Sequence, residues 1–302
     1  MLKSLALVAL MATSTAQAGS FSSSDLPADA QWYVHVNLDV MQSSSTGQVI
    51  FAESIGEAFE DIQRDVGIDL SGQIDSVTIS GASLPPDQPA ILLRGELSLH
   101  TQTQIIDLMR QEGDVFIEEQ YAGLTYYGFD QDGHRGSHAG EDMLYIAFGI
   151  GSTMVSPSEQ VVRDYLANGA EPATRYVADP NAMLVLHAEQ AMVQGGVDAR
   201  DVDVPGGWDS EIVSNIDSAA LVLADAGGDM LSFDAEIVAS TEEHAFYIHN
   251  VVQGLLSLKA LESGDSNEEI KAFLMNAHVD SQGNLVTMSA MIPLSLLEEV
   301  ID

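Results

Sequence analysis

The 302-residue chain has no cysteine, only 10 lysines and arginines, and no apolar run long enough to cross a bilayer. Each absence excludes something. Without cysteine there is no disulfide framework, no thiolate nucleophile and no thiol for lipid attachment, so stability has to come from an ordinary core. Few cations beside 46 Asp and Glu give a formal charge of −36. Nucleic acid is thereby excluded as a partner, because phosphates are held by clustered Lys and Arg. Anionic membrane surfaces are disfavoured for the same reason. A spanning helix needs roughly 20 consecutive apolar residues, and no segment supplies them.

The familiar catalytic signatures are also missing. No Gly-x-Ser-x-Gly elbow, phosphate-binding loop, dinucleotide-binding glycine pattern or His-Glu-x-x-His occurs. A serine–lysine arrangement has little to draw on: after Lys3 the only lysines are Lys259 and Lys271, both in helical, charged surroundings.

The first segment, "MLKSLALVALMATSTAQA", has the parts of a secretory signal peptide. Lys3 supplies the positive start, Leu5 to Ala12 a short apolar core, and Ala16-Gln17-Ala18 a small-x-small cleavage site. The expected organisation is a signal peptide over residues 1–18, a first repeat over 19–170 and a second over 171–302. The expected location is the periplasm or the cell exterior.

High acidity can signal disorder, but apolar residues make up 46% of this chain and fall in periodic blocks, which a disordered acidic tail lacks. The chain reads as a folded protein with an acidic coat. Because the acids are spread rather than massed, the coat reads as adaptation to salty surroundings more than as a cation-binding surface.

Two stretches read almost alike: "QIDSVTIS" at 73–80 and "NIDSAALV" at 215–222. Around them the order of elements repeats. "WYVHVNLD" is matched by "AMLVLHAE" and "AILLRGEL" by "MLSFDAEIV", while the helical "TQTQIIDLMRQ" is matched by "STEEHAFYIHNVVQGLLSL". Ser156–Glu159 and Ser240–Glu243 have capping-box spacing and predict helix starts. The expectation is an α+β protein of two tandem strand–helix–strand–strand–helix–hairpin units, mainly antiparallel, with helices on one face. Whether the halves form one sheet or two is left open.

Two polar loops carry the candidate site residues. In "DQDGHRGSHAGED", Asp130, Asp132, His134, His138, Glu141 and Asp142 offer carboxylate and imidazole ligands among flexible glycines, a composition suited to calcium or zinc. An EF-hand fails, because Ala139 stands where the twelfth-position carboxylate is required. In "VDARDVDVPGGWDSE", Trp208 offers a stacking platform for a ligand beside several aspartates. A solvated connection is the plainer reading of both loops. His35 and His187 fall in the matched first strands, offset by one position, and so need not share a face. The sequence therefore reads as an exported, acidic, soluble binding or structural protein of unidentified partner, without a firm cofactor. A metal-dependent hydrolase with ions in the acidic loops is the alternative.

Overall fold

The structure is a computed structural model that describes residues 26–27, 29–83, 88–113, 115–130, 143–168, 181–190, 214–262 and 268–296. The proposed signal peptide lies outside these residues. The strands follow from period-two alternation. In β1 (Trp32–Asn37), for example, Tyr33, His35 and Asn37 are buried and their neighbours half-buried. The other strands are β2 (Ser76–Gly81), β3 (Ala90–Arg94), β4 (Phe116–Tyr121), β5 (Leu124–Asp130), β6 (Met143–Gly149), β7 (Ser152–Ser156), β8 (Ala182–Glu189), β9 (Ile216–Asp225), β10 (Met230–Ala239), β11 (His278–Gln282) and β12 (Leu285–Pro293). The helices are α1 (Leu38–Ser43), α2 (Ser45–Phe51), α3 (Glu57–Val66), α4 (Leu99–Glu112), α5 (Glu159–Asn168), α6 (Glu242–Glu262) and α7 (Glu268–Asn276), with a π-helical turn, Ala52–Gly56, between α2 and α3.

All twelve strands among the described residues belong to one antiparallel sheet, ordered β11-β12-β10-β9-β8-β1-β2-β3-β7-β6-β5-β4. The halves join edge to edge through β1 and β8, where Tyr33 pairs with His187 and His35 with Val185. One sheet, not two, is the outcome. Outward from this seam the order is β1-β2-β3-β7-β6 on one side and β8-β9-β10-β12-β11 on the other, and the β4–β5 hairpin extends the first side.

Neighbouring residues on a strand point to opposite faces, and β3 shows that both faces are covered. Leu92 packs with Val162 and Leu166 of α5, together with Tyr126, Ala147 and Met154. Leu93 packs on the other side, with the cluster holding Leu38, Met41, Leu97 and Ile105. Helices α1 and α4 thus cover one face and α5 the opposite one. The expectation of helices on a single face fails because α5 returns across the far side of the sheet. Helix α6 buries Ala245 and Ile248 against Ile216, Ala239, Val279 and Val286.

The α5 face carries an unusual polar strip where the sheet is most central. His35, Asn37, Ser76, Thr78 and Ser80 are all buried. The His35 Nδ1 and Thr78 Oγ1 atoms are hydrogen-bonded at 2.9 Å across paired strands. The Asn37 side-chain oxygen accepts from the Val40 amide at 3.1 Å and caps α1. This ends β1 two residues earlier than alternation alone suggests, since an asparagine that caps a helix turns the chain out of the strand. The Ser76 hydroxyl is buried without a hydrogen-bond partner.

Neither predicted capping box forms. Ser156 belongs to β7, and its hydroxyl accepts from the Ser158 amide at 3.1 Å. The Glu159 carboxylate instead meets Tyr126 and Arg163. At α6 the cap is Thr241, one residue later than expected, its hydroxyl accepting from the His244 amide at 3.2 Å. Ser240 is left to hydrogen-bond His244 Nδ1 at 2.9 Å.

Candidate binding groove

Of the predicted site residues, Asp130 is described, as the last residue of β5. It is half-buried, paired with Met143 of β6, and its amide donates to the Val115 carbonyl at 3.2 Å. Asp132, His134, His138, Glu141, Asp142 and Trp208 lie outside the described residues. Among the described residues no group of three or more histidines and carboxylates is placed to hold a metal ion.

His35 and His187 do share a face. Antiparallel register pairs Tyr33 with His187 and His35 with Val185, so Tyr33, His35, Val185 and His187 project from the same side of the sheet. An offset between two aligned copies says nothing about that, because it is the pairing register that decides the face. The rings of Tyr33 and His187 stack with centroids 5.3 Å apart, and His187 Nε2 lies 3.1 Å from Glu189 Oε1.

A polar network, buried at Tyr126 and open to solvent at its charged groups, ties α5 to the outer strands. The fully buried Tyr126 places its hydroxyl 2.8 Å from Glu119 Oε2 and also against Glu159. The same oxygen accepts from Arg163 Nη2 at 2.8 Å. Arg163 pairs in turn with Glu159 at 2.6 Å and Glu119 at 3.2 Å. Burial, then the hydrogen bond to Glu159, holds the Tyr126 phenol well above its ordinary range. One guanidinium bridges two carboxylates and a phenol here, so the cluster acts as a latch between helix and sheet.

A concavity lies elsewhere, between α6 and α7 beside β11. It has a volume of about 600 Å³, within the range of small-molecule sites, about 300–1,000 Å³. Leu256, Leu261, Leu274, Met275 and Val279 supply an apolar lining, and Lys271 stands among them. Leu261 and Met275 remain 78% and 70% exposed. From His244 to Leu261 the chain has no acidic residue, although acids are abundant elsewhere. The groove also brings Ser257 onto the same lining as Lys271. The Ser257 hydroxyl, however, donates to the Gln253 carbonyl of its own helix at 2.9 Å, which commits its proton away from an amine base.

Sequence reasoning missed this groove because it is assembled from residues that are each ordinary for a helix. The available signal was α6 itself, whose apolar residues are not confined to one stripe: Phe246, Tyr247, Leu258 and Leu261 stand exposed. Comparison with protein-family models, with curated proteins and with solved structures finds no match to this chain.

Proposed function

We propose that this is an exported acidic protein that acts by binding, and that its ligand occupies the groove between α6 and α7. The observation that carries the reading is the composition of that groove: most of its lining residues are aliphatic, and the polar ones are Gln253, Ser257, whose hydroxyl is committed to its own helix, and Lys271. Such a lining suits retention of an apolar ligand, with a few polar groups fixing its orientation.

The proposal includes a duplicated architecture and removal of residues 1–18 on export to the periplasm or cell exterior. Duplication is supported by the matching strand order on either side of the β1–β8 seam. It is supported too by the position of the repeated Ile-Asp-Ser, whose serines, Ser76 and Ser218, fall at the starts of β2 and β9 beside the seam strands. In the second unit β12 and β11 stand where β7 and β6 stand in the first.

A neutral apolar dye such as Nile red, titrated into the mature chain, tests the binding reading. Saturable binding of one dye per chain, lost in Leu261→Asp and Met275→Asp, is expected. Both positions are exposed, so the variants should fold. An absence of binding, or binding that neither variant alters, would contradict it.

A further inference from the structure

Resting on that reading, we infer that the groove selects a single-chain amphiphile with an anionic head, an alkyl carboxylate being the simplest, with Lys271 holding the head and the α6–α7 walls holding the tail. Three observations converge. The walls are aliphatic over a volume that accepts an alkyl chain. Lys271 is one of only 10 cationic side chains in the whole protein, and it stands on the groove lining. The α6 segment from His244 to Leu261 carries no acid, the flanking acids Glu262, Glu268 and Glu269 standing beyond its end and at the start of α7, so the α6 wall itself sets no carboxylate against an anion.

Charge also decides between occupants. A second copy of the chain would bring another −36 to the contact, and a large net charge of one sign keeps proteins apart. A nucleic acid would meet the same repulsion with one lysine to offset it. A small amphiphile brings one charge, which one ammonium answers directly, and buries a tail that gains from every methylene removed from water.

The test compares decanoate, decyltrimethylammonium and decyl maltoside by calorimetry, below their micelle concentrations and in physiological salt, where the Debye length is about 8 Å. The mature chain is compared with Lys271→Gln and Leu261→Asp. Decanoate should bind most tightly. Lys271→Gln should weaken decanoate about tenfold, the scale of one lost charge-assisted hydrogen bond, and leave decyl maltoside unchanged. Leu261→Asp should weaken all three, with the fold checked by circular dichroism. Binding without preference for the carboxylate, or a preference that survives Lys271→Gln, would overturn the inference while leaving the binding role intact. Failure of all three amphiphiles together with Nile red would overturn both. A dimer in sedimentation velocity that Leu261→Asp dissociates would assign the groove to self-association instead.

Discussion

Tyr33 and His187 stack across the junction of the two halves, their ring planes 21° from parallel. Tyr33 is buried, and it sits in the strand pair through which the whole sheet is continuous. Unfolding should therefore be one cooperative transition, not two. Tyr33→Ala should cost about 3–5 kcal/mol, as for other large aromatic truncations in cores, and should destabilise both halves together. Urea melts followed by hydrogen exchange would check this; protection lost in residues 32–168 but kept in 182–293 would show the halves to be independent.

The Tyr126 latch gives a pH dependence with a definite sign. Its folded pKa is raised above that of the unfolded phenol, about 10. The neutral form is thus favoured by folding, and its contribution is fully present below about pH 10 and lost as pH rises toward the folded value. The melting temperature should fall above pH 10, and less steeply in Tyr126→Phe. At neutral pH that variant should lose about 1–2 kcal/mol through the broken hydrogen bonds. Equal alkaline slopes in the two proteins would remove Tyr126 as the cause.

The β4–β5 turn places Ala122 at φ 51° and Gly123 at φ 83°. Two successive positive φ values suit the tight turn of a twisted hairpin, and an alanine pays a steric cost there that glycine or asparagine avoids. Ala122→Gly and Ala122→Asn should each raise stability, by about 0.5–1 kcal/mol. A loss of stability in both, measured by denaturant titration, would refute this.

Ser76 offers the opposite kind of substitution. A buried hydroxyl without a partner carries its desolvation penalty for no return. Ser76→Ala should be neutral, or stabilising by up to about 1 kcal/mol. A loss above about 1 kcal/mol would contradict this.

Salt and metal separate the acidic coat from the acidic loops. Screening of self-repulsion should raise the melting temperature between low and moderate salt. At fixed ionic strength, calcium or zinc should leave it where EDTA does. A rise with either ion that disappears in Asp132→Ala and His134→Ala would make the 130–142 loop a metal site and favour the hydrolase alternative.

Much of the fold was legible because strands and helices have different periods. The alternation in "WYVHVNLD" and "AMLVLHAE", and the hairpin of β11 and β12 across Gly283–Asn284, follow directly from the residues. Register was not legible, and it places His35 and His187 on one face. Nor was the choice between neighbouring caps: at α6, Ser240 and Thr241 are both competent, and Thr241 wins. The side of the sheet taken by α5 depends on Tyr126, Glu119 and Arg163 meeting from elements far apart in the chain. The groove was hidden for a related reason, since Lys271 and Leu261 become neighbours on one lining only when α6 and α7 pack.

The most direct test of ligand binding in the α6–α7 groove is a map of where the ligand sits. Backbone amide resonances of the mature chain would be followed by two-dimensional NMR during titration with decanoate. Shifts concentrated in residues 253–261, 271–275 and 277–279 are the expected result. Shifts clustered instead at the β1–β8 seam or in the 130–142 loop, or no shifts at all, would contradict it.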